Sequence, residues 1–399
     1  MKKFLSLLLA LIFALSLASC AVEDTEDGET SDSDSISATE SDKDTDTEKE
    51  TEGDTVTPRS DVHSLTNDSS ALQYVKTYGR TQATNLGITC DFSATGIEFT
   101  AKTRGKVTLT VKCLNQSIET NKNDDIYFTV YIDGVRSATR LKAYKNSTTT
   151  LTLADFSAEG VHTIKVLKQS EIKNGLCFLT TLNFEGEFGE RPADNAKYIE
   201  FIGDSITSGY GNLTSKGTEP ANDTDYKDAT QAYAYLTAEA LGADHSLVSC
   251  AGVGITGSWR PMLAMDLYTK QSYYRNQDAA FTPTRTADLV VINLGTNDES
   301  KSANTTQYKS DVKTLIAKVQ EYYGANVKIV WVYGMMGEGY GSYALEAINE
   351  LKAAGTGDNI YSVRLSQNNA GAGNHPIATA HKTAATELVD FINSNNLLG

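Results

Sequence analysis

The chain has 399 residues, 40% of them hydrophobic, and carries 35 Lys and Arg against 51 Asp and Glu. At about 100–200 residues per domain, this length allows two or three domains with sizeable cores. The formal net charge of −16 argues against a nucleic-acid binder, because such a protein presents a basic face to the phosphates. Residues 21–57 hold 15 of the acids and only two lysines, so the rest of the chain is mildly acidic.

Residues 1–20 have the pattern of an export signal. Two lysines precede an apolar run over 4–17, which is too short to cross about 30 Å of hydrocarbon comfortably. The run leads into Leu-Ala-Ser-Cys at 17–20, which resembles the bacterial lipobox. This resemblance implies an extracytoplasmic protein that is lipid-anchored to the bacterial cell membrane at Cys20. The alternative is an ordinary cleaved signal peptide in which Cys20 is unused.

Residues 21–60 are predicted to be an acidic, disordered tether. The segment 21–57 contains no aromatic residue and is rich in Asp, Glu, Ser and Thr. Such a composition cannot bury enough apolar surface to offset its chain entropy, and its like charges extend it. We therefore expect it to hold the folded domains away from the membrane.

Residues 61–190 are predicted to form an antiparallel β-sandwich of the jelly-roll kind. Apolar residues alternate with polar ones over 97–101, 107–113 and 126–132, and Asp133-Gly134 marks a hairpin turn. Short alternating strands separated by turns are typical of such sandwiches. Cys113 and Cys177 both end strand-like runs here, so a disulfide between them and two buried free thiols are both open possibilities.

Residues 196–399 are predicted to form a three-layer α/β/α domain around a parallel sheet. Buried strands are expected over 198–202, 246–249, 288–294, 327–333 and 359–365. The run 288–294 is almost continuously apolar, which is typical of a strand covered on both faces. Helices are expected between them: 229–241, the stretch from Tyr308 to Tyr322 with apolar residues on one face, and 376–392. In such folds, sites form at the carboxyl ends of the strands.

Four of these strand ends carry residues suited to acyl transfer. Ser205 follows the first strand, Gly252 the second, Asn297 the third, and His375 lies between the last strand and the last helix. Acyl transfer needs a nucleophile, a base for its proton, and two or three hydrogen-bond donors for the oxyanion. Each residue alone has an ordinary structural explanation, but their order along one predicted sheet favours a hydrolase.

The motifs around these residues resemble those of the SGNH (GDSL-type) hydrolases. They are Gly-Asp-Ser-Ile-Thr at 203–207, Gly-Thr-Asn-Asp at 295–298 and Asn-His-Pro at 374–376. Within that superfamily the closer resemblance is to carbohydrate esterase family 2, of the acetylxylan esterase type. It rests on the preceding β-sandwich, Tyr-Gly-Arg-Thr at 78–81, and Ile-Glu-Phe-Ile at 199–202 leading into the serine motif.

The resemblance implies an ester hydrolase that removes O-acetyl groups from acetylated polysaccharides or sugars. It assigns Ser205 as the nucleophile and His375 as the general base. The oxyanion donors would be the N–H of Ser205, the N–H of Gly252 and the side-chain amide of Asn297, with Gly254 as an alternative to Gly252. No cofactor and no metal is implied.

One position departs from the family pattern. The acid that often stands three residues before the histidine is replaced by Ala372, and no acid occurs between Asp358 and Glu387. A main-chain carbonyl, that of Asn374 for example, can accept the Nδ1–H of His375 and select the same tautomer. We therefore predict a Ser-His dyad. Glu338, and less so Glu346, are the distant acids that would complete a hidden triad.

The sequence favours three other functions less than this one. Gly252–Gly257 reads G-x-G-x-x-G, but Pro261 would break the helix that a dinucleotide site needs. The histidines do not have the spacing of a zinc site, since His375 and His381 are not one helical turn apart. A lipase or thioesterase is the runner-up enzyme, weakened by the lack of an obvious apolar lid.

A non-catalytic carbohydrate-binding lipoprotein is the alternative from another class. Trp259, Tyr210 and Tyr333 lie near strand ends and are predicted to stack on sugar rings. A pure binding protein, however, would have no need of serine, asparagine and histidine together. We expect a monomer whose partners are the acetylated carbohydrate and the membrane, with no nucleic acid.

Overall fold

The computed structural model describes residues 61–114, 124–273 and 279–399, all of which belong to one compact unit. The predicted signal segment, Cys20 and the tether lie outside the described residues. In the described ranges no helix is long and apolar enough to cross a bilayer. The limits 61–190 and 196–399 for the two folded domains stay predictions.

The N-terminal region is an antiparallel sheet of ten strands, as predicted. Long strands β5 and β9 pair along most of their length, with irregularities near Gly105 where the strand bends. The strands are β1 (Asp61–Ser64), β2 (Val75–Tyr78), β3 (Ala83–Thr84), β4 (Gly87–Cys90), β5 (Gly96–Leu114), β6 (Ile126–Ile132), β7 (Val135–Arg136), β8 (Leu141–Ala143), β9 (Thr148–Lys168) and β10 (Leu176–Phe188).

Apolar and polar residues alternate along these strands, and the apolar ones form the core of the antiparallel region. Ile97, Phe99, Val107 and Leu109 of β5 are all fully buried in one apolar cluster, while intervening residues face outward. Cys177 of β10 pairs in register with a cysteine on each neighbouring strand, Cys113 on β5 and Cys90 on β4. All four cysteines of the described chain are buried free thiols.

The C-terminal region is a five-stranded parallel sheet in the order β12-β11-β13-β14-β15, with helices on both faces. This confirms the predicted α/β/α class. The strands are β11 (Tyr198–Gly203), β12 (Asp244–Ser249), β13 (Leu289–Asn293), β14 (Lys328–Tyr333) and β15 (Ile360–Arg364). The helices are α1 (Tyr233–Ala240), α2 (Ala264–Tyr268), α3 (Thr296–Ser300), α4 (Thr305–Tyr323), α5 (Gly341–Ala353) and α6 (Ala378–Ser394).

Strand β13 shows why the sheet is covered on both sides. Val290 and Ile292 point into the cluster that contains α4 and α5, whereas Leu289 and Val291 point into the cluster that contains α1 and α6. Helix α4 begins where the Asn304 side chain accepts a hydrogen bond from the backbone N–H of Gln307, and it ends at Gly324 with φ +94°. Two helices begin later than predicted. Helix α1 begins at Tyr233 instead of residue 229, and α6 begins at Ala378, two residues after Pro376.

The motifs that carry the family resemblance meet between the two sheets. Arg80, just after β2, forms a buried ion pair with Glu200 of β11 at 3.0 Å from Nη2 to Oε1. The guanidinium also donates to the carbonyl oxygens of Tyr268 and Lys270, and the hydroxyl of Tyr323 donates to Glu200 at 2.9 Å. These polar contacts are satisfied within the protein, so they hold the antiparallel region against the parallel sheet.

Candidate active site

The four predicted site residues follow strand ends at one edge of the parallel sheet. Ser205 lies two residues after β11, and Gly252 lies three residues after β12. Asn297 lies in α3, directly after β13, and His375 follows a short 3₁₀ turn at Ala372–Asn374. Because the carboxyl ends of parallel strands meet at the same edge, residues far apart in sequence come together there.

Ser205 and His375 are in direct contact. The Oγ atom of Ser205 lies 2.8 Å from Nε2 of His375. The serine occupies a tight turn, since a Cβ at Gly203 would lie 2.0 Å from Oγ1 of Thr207. Oδ1 of Asp204 braces this turn by accepting a hydrogen bond from the Ile206 N–H at 2.9 Å. A contact of this length would let a serine pass its proton to the imidazole.

The other ring nitrogen of His375 faces main-chain carbonyls. Nδ1 lies 3.2 Å from the carbonyl oxygen of Ala372 and 3.1 Å from that of Gly373. The acceptor is therefore not the carbonyl of Asn374 that the sequence suggested, because Gly373 and Asn374 both have positive φ and curl the chain back. Donation from Nδ1–H to these oxygens leaves Nε2 as an acceptor for the serine proton.

Burial lowers the pKa of His375 to about 4. The carbonyl contacts from Ala372 and Gly373 act in the opposite direction, but the cost of burying a charged ring is larger. The imidazole is therefore neutral at neutral pH, which is the state that a general base requires.

Two main-chain N–H groups, at Ser205 and Gly252, donate no hydrogen bond within the described residues. Gly252 is partly exposed, whereas Gly254 is buried with the carbonyl oxygen of Gly257 2.0 Å from where its Cβ would be. A substrate can reach Gly252 more easily, so the structure favours it over Gly254 as an oxyanion donor.

Asn297 lies in the same cluster, but its amide already has partners. Nδ2 donates to the carbonyl oxygen of Val253 at 2.8 Å and to Oδ2 of Asp204 at 3.1 Å. The side chain thus connects the nucleophile turn to the loop after β12. Burial raises the pKa of Asp204 to about 7, so this carboxyl is a weaker acceptor near neutral pH than an ordinary carboxylate.

Asp298 organises the glycine-containing loop beside the site. Its carboxylate accepts hydrogen bonds from the N–H groups of Ile255, Thr256 and Gly257 at 2.7–3.0 Å. The G-x-G-x-x-G segment therefore turns its N–H groups toward a protein carboxylate, and the next helix, α2, begins only at Ala264. This is not the strand-turn-helix arrangement that binds a dinucleotide.

The three predicted sugar-binding aromatics have different surroundings. Trp259 is 59% exposed, with Nε1 donating to Oγ of Ser300 at 2.7 Å and Nζ of Lys301 over its ring at 3.6 Å. The Tyr210 ring lies 4.7 Å from the His375 ring. Tyr333 makes no hydrogen bond or ring contact with Ser205 or His375 among the described residues. Its ring packs against Gly341 at the start of α5, which indicates a packing role.

Sequence reasoning missed three charged residues near the site. Glu171, from the antiparallel region, is fully buried; it accepts from Nζ of Lys227 at 2.7 Å and from the N–H of Ala251. Arg260 donates from Nε to the carbonyl oxygen of Ala251 at 2.6 Å. Glu219 accepts from the N–H of Gly373 at 3.0 Å. None belongs to a recognisable motif, and only the folded chain brings them here.

Comparison with known families covers both regions. A model of the GDSL-like lipase/acylhydrolase family matches residues 201–393, and a model of the carbohydrate esterase 2 N-terminal domain matches residues 77–192. The parallel-sheet region therefore matches the GDSL-type (SGNH) hydrolases, and the antiparallel region matches the N-terminal domain of the family 2 carbohydrate esterases.

Curated relatives carry esterase names. The chain is 33% identical over 270 residues to the cellulase/esterase CelE of Acetivibrio thermocellus, an alignment that covers 63% of this chain and 32% of that protein. It is 30% identical over 164 residues to an acetylxylan esterase / glucomannan deacetylase of Cellvibrio japonicus, covering 37% of this chain and 42% of that one. The chain thus matches less than half the length of either relative.

Solved structures show the same fold. A family two carbohydrate esterase from Clostridium thermocellum in complex with cellohexaose superposes with a TM-score of 0.72 at 26% identity, covering 81% of this chain and all of that one. An acetyl xylan esterase from Butyrivibrio proteoclasticus gives a TM-score of 0.74 at 22% identity, covering 85% and 100%. Both the antiparallel and the parallel region are included in this likeness.

Proposed function

We propose that this protein is a carbohydrate O-acetyl esterase that acts on acetylated polysaccharides or sugars of the xylan or mannan type. The observation that carries the proposal is the 2.8 Å contact between Oγ of Ser205 and Nε2 of the half-buried His375. The low pKa of that histidine keeps its ring neutral at neutral pH, which leaves a lone pair on Nε2 for the serine proton.

In the proposed reaction, Ser205 Oγ attacks the acetyl carbonyl carbon while Nε2 of His375 takes its proton. The negative charge that develops on the carbonyl oxygen is stabilised by the N–H groups of Ser205 and Gly252 and by the amide of Asn297. The sugar hydroxyl then leaves with the proton from His375, giving an acetyl-serine. Water, deprotonated by the same histidine, hydrolyses this intermediate and releases acetate.

The choice of a carbohydrate substrate has separate support. The matched N-terminal domain is that of carbohydrate esterases, and two relatives are named as acetylxylan esterase or cellulase/esterase. Trp259 offers an exposed indole near the Gly252 loop, since the backbone N–H of Trp259 donates to the Gly252 carbonyl oxygen at 2.8 Å. Lys301 covers one face of the ring, so one face remains for a sugar.

The test is acetate release from acetylated xylan and acetylated glucomannan, compared with 4-nitrophenyl esters of increasing chain length. We expect acetyl substrates to be preferred and Ser205→Ala to leave only a small residual rate. Faster cleavage of long acyl chains would favour a lipase. Binding of cellohexaose without hydrolysis of any of the esters would favour a binding protein. A near-normal kcat in Ser205→Ala would refute the assignment of Ser205 as the nucleophile.

We also propose that the chain is held to the membrane by a lipid on Cys20 and is a monomer. The support is the charged and apolar pattern of residues 1–17 and the lipobox-like sequence at 17–20. Detergent phase partitioning of the full chain, with Cys20→Ala as the control, tests the anchor. Light scattering on the Cys20→Ala protein tests the monomeric state. A wild-type chain that stays in the aqueous phase would contradict the lipid anchor, and a dimer would contradict the monomer.

A further inference from the structure

The peptide group between Ala251 and Gly252 is held at its carbonyl end. Its carbonyl oxygen accepts a hydrogen bond from Nε of Arg260 at 2.6 Å. Its N–H is that of Gly252, one of the proposed oxyanion donors. In a planar trans peptide the C=O and N–H point in opposite directions, so fixing the carbonyl fixes the direction of the N–H.

The preceding peptide is held as well. The N–H of Ala251 donates to Oε2 of Glu171, whose other oxygen accepts from Nζ of Lys227 at 2.7 Å. Both side chains are fully buried, and Glu171 reaches this loop from the antiparallel region. Charged partners on both sides of Ala251 therefore prevent rotation of the peptide that precedes Gly252.

Such restraint is needed because Gly252 is conformationally free. Its φ is +88°, in a region where glycine pays no steric penalty and where neighbouring conformations are also open to it. Arg260 also fills the space beside it, since a Cβ on Gly252 would lie 2.8 Å from Nε. The Gly252 carbonyl is itself held by the backbone N–H of Trp259 at 2.8 Å and by Oγ of Ser258 at 3.2 Å. Without Arg260, the peptide before Gly252 would lose its charged donor and would have room to turn the Gly252 N–H away.

We propose that Arg260 is a positioning residue that aims the Gly252 N–H at the oxyanion, with Glu171 supporting the same loop. This inference rests on the proposed esterase function. The cationic guanidinium of Arg260 also polarises the peptide whose carbonyl it contacts. This polarisation strengthens the hydrogen bond that the Gly252 N–H of that peptide can donate. Loss of this geometry would destabilise the transition state more than the bound substrate, because the acetyl carbonyl oxygen carries negative charge only in the transition state.

The test compares Arg260→Met with Arg260→Gln. Both side chains are uncharged and reach as far as Nε of the arginine, but only glutamine has a donor at that position. We expect Arg260→Met to lower kcat on the order of 10- to 100-fold with little change in KM, and Arg260→Gln to retain most of kcat. Arg104→Met, which removes an exposed arginine of the antiparallel sheet, is the matched control.

Unchanged kcat in Arg260→Met would overturn the proposal, and so would equal losses in the methionine and glutamine variants, which would indicate a role for charge or packing. Circular dichroism checks the fold, and Arg260→Ala replaces the methionine variant if that protein does not fold. All rates are compared with the Ser205-dependent activity of the wild type. If the wild type has no such activity, the esterase function itself fails; normal wild-type activity with an unaffected Arg260→Met rejects the positioning role alone.

Discussion

Asn297 donates a hydrogen bond of 3.1 Å from Nδ2 to Oδ2 of Asp204, the residue next to Ser205, the proposed nucleophile. The same nitrogen donates to the carbonyl oxygen of Val253, so one amide joins the ends of three neighbouring strands. An oxyanion at Ser205 would therefore compete with Asp204 for an N–H of Asn297. A charged acceptor forms stronger hydrogen bonds than a neutral one, so the developing oxyanion is favoured in that competition when Asp204 holds a proton.

Asn297→Ala should lower kcat by about 10²–10³, the usual effect of removing one oxyanion donor, with a smaller change in KM. The substitution also leaves the carbonyl of Val253 without its donor, so we expect some loss of stability, about 1–3 kcal/mol. Steady-state kinetics and thermal unfolding separate the two effects. A large rise in KM with kcat intact would instead make Asn297 a substrate-binding residue.

The pH dependence follows from the pKa of His375, which burial lowers from 6.5 to about 4. The base must be neutral, so kcat/KM should stay level from neutral pH down to about pH 5 and fall as the pH passes through about 4. An inflection near 6.5 would show that the ring is solvated. The measurement is kcat/KM from pH 3.5 to 8 with an activated acetyl ester.

The same histidine should also make folding less favourable in acid. Its pKa is lower in the folded than in the unfolded chain, so the unfolded state binds more protons between about pH 4 and 6.5. The free energy of unfolding is therefore highest above pH 6.5 and decreases as the pH falls from about 6.5 to about 4. His375→Asn should reduce that loss, and denaturant unfolding at pH 7 and pH 4.5 measures it.

Much of the fold and the chemical core of the site follow from the sequence, because they depend on local patterns. Alternation at Ile97–Ala101 marks a strand, and Gly-Asp-Ser at 203–205 marks the turn after β11, which only a few residues determine. The supporting residues could not be found in this way. Glu171 and Arg260 meet at Ala251 through chain segments that have no periodicity or motif, and their roles depend on a tertiary contact.

The misplaced acceptor of His375 has a similar cause. The sequence indicated a main-chain carbonyl in the loop before Pro376, but the particular oxygen depends on backbone torsions. Gly373 and Asn374 have φ of +59° and +63°, which turn the carbonyls of Ala372 and Gly373 toward the ring. A positive φ at asparagine is uncommon and cannot be assigned from the residue type alone.

No distant acid should be essential for orienting His375. Glu338 accepts from Nε of Arg364 at 2.6 Å, and Glu346 pairs with Nζ of Lys309 at 3.0 Å, so both have other partners. We expect Glu338→Ala and Glu346→Ala to keep wild-type kcat across pH 5–9. A loss of about 10³ or more in a folded variant would approach the cost of a lost triad acid and would refute the dyad.

Glu219 should have a small, measurable effect on the same histidine. It accepts from the N–H of Gly373, and the carbonyl on the other side of that peptide, Ala372, faces Nδ1. Glu219→Ala leaves the carbonyl in place but frees the peptide, so we expect kcat to fall by less than about tenfold, below the effect of a direct catalytic acid. Glu338→Ala is the matched control; equal rates in the two variants would show that Glu219 does not act on the ring.

The buried pair between Arg80 and Glu200 should carry much of the stability of the contact between the two sheets. Both side chains are almost fully buried, and Arg80 also donates to two carbonyl oxygens. Arg80→Met leaves Glu200 charged and without its cation, which should cost about 3–5 kcal/mol in denaturant unfolding. Arg104→Met, which breaks an exposed pair with Glu185, should cost less than about 1 kcal/mol.

A second substitution separates loss of packing from loss of charge pairing at this contact. If the cost of Arg80→Met comes from the unpaired carboxylate, then Arg80→Met combined with Glu200→Gln should be more stable than Arg80→Met alone, because no charge is left buried. Tyr323 can still donate to the amide oxygen of the glutamine, as it now does to Glu200. If the double variant is no more stable than Arg80→Met, the arginine acts through its packing and its bonds to the carbonyls of Tyr268 and Lys270, and the ion pair itself contributes little.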